Sequence, residues 1–315
     1  MATPGHPVGW SRIPARGPAM PRRLLAPTNF TPAADRAVRY AADLAEATGA
    51  ELELVHVCKA ARERFHLTWT PAGFEAEQAE AEEASRAALQ ALADEFSARG
   101  VPTTATVVGP TEPAVALLDA AEDADLVVIA TRGAAGDRPG LGPVASAVAR
   151  HARPPVLLVD AEAGCLEAGL RVVVPVDLSE ASAAALREAR ALAAALGGSV
   201  EVVHAVPDEG GASAWGGEPV ADDEPEAARR LRYVERFVAD SLASPDGTAD
   251  ASAEPPVHVH LAEGDPAEAV ARFAQEEGAD LVLAGRPDGR PSSLDRLLAA
   301  VGEAARCPTV RVPVR

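Results

Sequence analysis

The residues best suited to chemistry sit in one stretch, Ala130-Thr131-Arg132-Gly133, followed after eight residues by Gly142-Pro143-Val144. Glycines there let backbone N–H groups approach an anion, and a helix opening at Pro143 presents its unpaired amides and positive end to the same point. Arg132 and Arg138 add positive charge, so the stretch reads as a seat for a phosphate-like anion. The plain alternative is that Pro143 merely starts a helix and the two glycines merely turn a loop. Other groups carry less. His56 and His204 each lie at the end of an apolar run, but no Ser, Cys or paired carboxylate recurs beside them, so neither reads as a general base. His258 and His260 have the spacing of two metal ligands on one strand face; with no third ligand in view they read as solvent-facing strand residues. Cys58, Cys165 and Cys307 are far apart with no Cys-x-x-Cys spacing, which argues against a zinc site or disulfide framework and predicts a reducing, cytoplasmic setting.

The elements that must position these residues are stated twice. Arg23-Leu24-Leu25-Ala26-Pro27-Thr28-Asn29-Phe30-Thr31 returns 148 positions later as Arg171-Val172-Val173-Val174-Pro175-Val176-Asp177-Leu178-Ser179. Gly49 through Val57 returns as Gly197 through Ala205 at the same offset, and Asp125-Leu126-Val127 returns as Asp280-Leu281-Val282 at an offset of 155. A repeat this long is a duplicated domain rather than a solenoid unit. In each copy, short runs rich in Val, Ile and Leu alternate with helical stretches. Thr31-Pro32 and Ser179 are helix starts, and Gly49 and Gly197 are stops. Residues 1–21, rich in Pro and Gly and lacking a signal peptide's apolar core, read as a disordered tail. The first copy is set at 22–160, a linker at 161–169 and the second copy at 170–315. The second copy's extra length falls in 207–225 and 244–256, read as mobile loops. The predicted fold is α/β: two tandem copies of a parallel five-stranded sheet with helices on both faces, a Rossmann-like arrangement. Such sheets bind ligands beyond the carboxyl ends of their strands, at the point where strand order reverses.

Composition excludes several classes. There are 47 acidic against 29 basic residues, a net charge of −18, which repels phosphate backbones and disfavours nucleic-acid or anionic-membrane binding. No segment has the uninterrupted apolar length of a membrane span. The acidic run from Glu75 to Glu83 reads as a solvated helix face.

These motifs resemble the universal stress protein family in its tandem two-domain form. The marks are the strand-Pro-x-Asp/Asn-x-Ser/Thr opening, the second strand ending His56-Val57 or His204-Ala205, and Gly264-Asp265-Pro266 before a helix. Val144-Ala145 through Val148, then Pro154-Pro155-Val156-Leu157-Leu158-Val159, completes the match. The resemblance implies an adenine-nucleotide-hydrolase-like fold, a role in stress survival and signalling, and no well-defined catalysis. Family members commonly pair through the last strand, which implies an internal pseudo-dimer of the two copies and leaves a homodimer open.

The same resemblance implies site residues. In copy one they are Asn29, Val57, Ala130, Arg132, Gly133, Gly142, Pro143 and Val144, with ATP as ligand; in copy two, Asp177 holds the adenine position. Asn29 stands where the family's nucleotide binders carry Asp, and its amide oxygen still accepts a hydrogen bond from an exocyclic amine. Ala130 replaces the family's first loop glycine, the spacing is one short, and Pro143 replaces Ser/Thr, removing a hydroxyl and a backbone donor. In copy two Asp177 is intact, though an Asx-turn before Ser179 explains it equally well. There Asp288 replaces the second glycine and Asp295-Arg296 replaces Gly-Ser, and carboxylates beside a triphosphate repel it. Copy one is therefore read as the binder. A nucleotide-independent scaffold and slow ATP hydrolysis remain as alternatives.

Overall fold

The computed structural model describes residues 20–58, 71–132, 141–163, 166, 169–206, 225–243, 254–286, 296–297, 300–301 and 307–313. The expected tail (up to residue 19), Gly133, Arg138, Cys165, Asp288, Asp295 and most of the two long loops of the second copy lie outside them.

Each copy runs in the same order. Copy one comprises β1 (Arg23–Pro27), α1 (Pro32–Thr48), β2 (Glu51–Val57), α2 (Pro71–Ala98), β3 (Thr103–Val108), α3 (Pro113–Ala120), β4 (Leu126–Ala130), α4 (Pro143–His151) and β5 (Val156–Val159). Copy two comprises β6 (Arg171–Pro175), α5 (Glu180–Leu196), β7 (Ser199–Val206), α6 (Glu226–Leu242), β8 (Val257–Glu263), α7 (Pro266–Glu276), β9 (Leu281–Arg286) and β10 (Thr309–Pro313). The local signals act as their chemistry dictates. Thr31 Oγ1 accepts from the Ala34 N–H and Ser179 Oγ from the Ser182 N–H, capping α1 and α5. Both helices end on a left-handed glycine, Gly49 at φ 71° and Gly197 at φ 68°. The second helix starts at Pro71, because proline suits the first helical turn. The ends of β8 and β9 are held by pairing of Glu263 with Val206 and of Arg286 with Pro313.

The strands form one ten-stranded sheet in the order β3-β2-β1-β4-β5-β10-β9-β6-β7-β8. Every neighbouring pair is parallel except β5 with β10, which join antiparallel with Val310 opposite Leu157. The expected five-stranded parallel unit is thus present twice, fused edge to edge. Registers repeat with the duplication: Arg23 faces Glu51 in copy one, and Arg171 faces Ser199 in copy two. On one sheet face α1, α2, α5 and α6 share a continuous apolar core running across both copies, from Phe96 and Leu24 to Leu186 and Val234. On the other face α3 and α4 cover one cluster around Val127 and Val148, and α7 covers another around Val203 and Val270. Among the described residues no helix is long and apolar enough to cross a membrane.

Candidate functional site

In copy one β1 lies between β2 and β4, so strand order reverses between β1 and β4, the place where open α/β sheets form a ligand crevice. At that edge stand three of the expected residues: Asn29 just past β1, Val57 ending β2 and Ala130 ending β4. The turn after β1 is built from its own polar groups. Asn29 Oδ1 accepts from the Thr31 hydroxyl at 2.6 Å and from the Thr31 N–H at 3.3 Å, and Thr28 Oγ1 accepts from the Phe30 N–H at 3.0 Å. Phe30 takes φ 58°, a left-handed conformation uncommon for a bulky side chain, and remains 41% exposed at the rim. His56 explains the strand-end histidine. Its Nδ1 lies 2.9 Å from the Thr28 carbonyl, which can only accept, so Nδ1 carries the proton and pins the turn to β2. The Phe30 ring lies against the imidazole, centroids 4.7 Å apart.

The anion-seat half of the site follows β4. Gly142 is the N-cap of α4 in an extended conformation and, being glycine, brings no side-chain cap to the first-turn amides of the helix. Pro143 occupies the first helical position, where its missing N–H costs nothing. The Gly142 N–H itself is spent inside the protein, donating to the Thr131 carbonyl at 2.8 Å. A group that sequence reasoning missed sits here. Asp160, just past β5, accepts from the Thr131 hydroxyl at 3.0 Å and pairs with Arg132 at 3.7 Å. The register of Ala130 opposite Val159 carries Asp160 to the loop, a neighbour that spacing along the chain cannot reveal. Any anion seated on α4 therefore shares Arg132 with a carboxylate already in place.

Copy two repeats the first turn. Asp177 Oδ1 accepts from the Ser179 N–H at 3.1 Å and from the Ser179 hydroxyl, Leu178 takes φ 65°, and His204 Nδ1 donates to the Val176 carbonyl at 2.8 Å. The Asx-turn is thus what Asp177 makes in this structure. It lies beyond β6, which four strands separate from β1, so Asp177 belongs to a different crevice from Asn29. Gly285, aligned with the first glycine of a phosphate loop, has a steric reason to be glycine. A Cβ there would stand 2.2 Å from the Ala181 carbonyl oxygen, so α5 packs against β9 only without a side chain.

Two further clusters bear on chemistry. His258 and His260 do share a strand face, and between them lies a third group the sequence left unseen, Glu201 of β7. Its carboxylate is only 6% exposed and accepts from His258 Nδ1 at 3.1 Å, His260 Nε2 at 2.9 Å and Ser199 Oγ at 3.1 Å. Burial pushes the Glu201 carboxyl up, but the hydrogen bonds from His260, His258 and Ser199 outweigh it and leave it below the ordinary range. The pair of histidines is engaged with a carboxylate, and among the described residues no group of three metal-binding side chains is arranged to hold an ion. Cys58 and Cys307 are buried free thiols; burial raises both, Cys307 to about 12, so neither is a ready nucleophile.

The model of the universal stress protein family matches residues 20–160 and again 170–313. A universal stress protein from Archaeoglobus fulgidus DSM 4304 shares the fold at TM-score 0.63 and 19% identity, over 92% of this chain and 96% of its own. A putative universal stress protein from Pseudomonas aeruginosa UCBPP-PA14 does so at TM-score 0.58 and 16% identity, over 93% of each chain. No curated protein matches the sequence.

Proposed function

We propose a nucleotide-responsive, non-catalytic role for this chain, which belongs to the universal stress protein family in its tandem two-domain form. Copy one is the responding half and ATP its ligand. The adenine sits by Asn29 and Val57, whose turn is held rigid by His56, and the phosphates lie toward Arg132 and the start of α4. The observation that carries this reading is the N-terminus of α4, whose N-cap Gly142 supplies no side-chain cap, set beside the strand-order reversal between β1 and β4. Phosphate entering there exchanges the Arg132–Asp160 ion pair for an Arg132–phosphate pair, so the nucleotide alters the contact between the loop and the end of β5. β5 is also the strand that meets β10, which couples the proposed site to the seam between the copies. That seam serves as an internal pseudo-dimer. Binding rather than turnover is supported by both strand-end histidines being committed to holding turns, so neither is placed as a general base.

One observation favours the alternative of a nucleotide-independent scaffold: Asp160 already engages Thr131 and Arg132. Thermal melts with and without millimolar ATP-Mg separate the two readings. At 100 times Kd a ligand stabilises by about 2.7 kcal/mol. A raised midpoint that disappears in Gly142→Asp, where the new carboxylate caps α4 and repels phosphate, fits the responsive reading. An unchanged wild-type midpoint fits the scaffold and defeats the proposal.

A further inference from the structure

A second cavity lies far from that crevice. It encloses about 450 Å³ on the α1/α5 face of the sheet, over the seam where β5 meets β10. Its walls include the starts of β4 and β9, Leu126 and Leu281, whereas the nucleotide crevice lies beyond the opposite end of β4. The volume falls within the range of small-molecule sites.

The duplication makes this cavity pseudo-symmetric. Leu44 of α1 and Leu192 of α5 face it at the 148-residue offset, as do Leu126 and Leu281 at the 155-residue offset. One equivalent pair breaks the pattern: Tyr40 of α1 corresponds to Glu188 of α5, and both line the space. Tyr40 is only 4% exposed, and no described residue hydrogen-bonds its hydroxyl. Glu188 is half-buried and no described side chain pairs with it. The carboxylate of Asp125, by contrast, already accepts the Arg22 and Arg23 N–H groups at 2.8 and 3.1 Å. The lining thus combines leucine and valine side chains with two carboxylates against one guanidinium, Arg22, and holds a buried aromatic side chain and an unpaired carboxylate within the same cavity. A carboxylate or phosphate ligand is disfavoured there, whereas a protonated amine on an apolar body meets Glu188 with charge, Tyr40 with its ring, and the leucines with its hydrocarbon.

We infer that this seam cavity binds a small hydrophobic amine, anchored by Glu188 and Tyr40 and enclosed by side chains from both copies. The test uses three ligands sharing one rigid hydrocarbon cage, 1-adamantylammonium, 1-adamantanol and 1-adamantanecarboxylate. Each is titrated calorimetrically into the full chain at 0.15 M salt. The expected result is saturable binding at one site per chain, with the ammonium tenfold or more tighter than the carboxylate. Glu188→Gln should bring the ammonium down to the alcohol. Ala191→Trp, at a half-buried lining position, should abolish binding of all three, and Leu192→Trp repeats that test should the first variant melt early. Gly142→Asp should leave all three unchanged, which separates this site from the nucleotide crevice. Equal affinity for ammonium and carboxylate, binding that survives both tryptophan variants, or no heat from any of the three overturns the inference.

Discussion

Gly285→Ala tests whether the second copy's loop glycine serves packing or phosphate. The added methyl would stand 2.2 Å from the Ala181 carbonyl oxygen and 2.3 Å from its carbon. Both are backbone atoms of the first turn of α5, so no side-chain rotation relieves the clash, and the helix must retreat by about 1 Å from a sheet face packed at crystal-like density. Overpacking of that kind costs about 3 kcal/mol, the upper part of the usual range. At about 2–4 °C per kcal/mol, the midpoint should fall by about 6–12 °C. Circular dichroism melts of wild type and variant measure it. Ala130→Gly, the corresponding change in copy one, serves as control and should cost no more than about 1 kcal/mol. A Gly285→Ala protein melting within a degree of wild type would refute the packing argument and return the glycine to a ligand-binding role.

Two other outcomes follow from the same geometry. Asp160→Asn removes the carboxylate that shares Arg132 while keeping an acceptor for the Thr131 hydroxyl; ATP affinity should rise roughly fivefold, read by calorimetry, and an unchanged or lower affinity would count against the exchange of partners. Glu201→Gln should cost about 2 kcal/mol at neutral pH through weakened charge-assisted hydrogen bonds to His258 and His260. Because the folded carboxyl is held below its unfolded value, that stabilisation is present above the ordinary carboxylate range and is lost as pH falls through the folded pKa. The gap between wild-type and variant midpoints should therefore close as pH falls below the ordinary carboxylate range; a gap independent of pH contradicts it.

What the sequence disclosed and what it hid divide along local and non-local lines. The two copies show as a repeat at a long offset, while the α/β order, the Thr31 and Ser179 caps and the Gly49 and Gly197 stops rest on residues a few positions apart, and periodicity and capping chemistry suffice for them. The Asx-turn at Asp177 was likewise within reach of short-range spacing, whereas the strand-end histidines bond carbonyls 28 residues away, just past a neighbouring strand. Asp160 beside Arg132, and Glu201 between His258 and His260, depend on which strands become neighbours and in what register, which no single segment encodes. Gly285 is the converse case. A glycine in a motif position invites a ligand explanation, while its reason lies in a helix about a hundred residues earlier. The Tyr40–Glu188 pair was visible only once the duplication offset was laid over the seam that brings α1 and α5 to one cavity.

Equilibrium dialysis against labelled ATP-Mg counts the nucleotides that the proposed site in the first copy holds per chain. A stoichiometry of one is expected, abolished by Gly142→Asp and retained in Asp177→Asn. Two nucleotides per chain, none, or binding that survives the first substitution and vanishes with the second would contradict it.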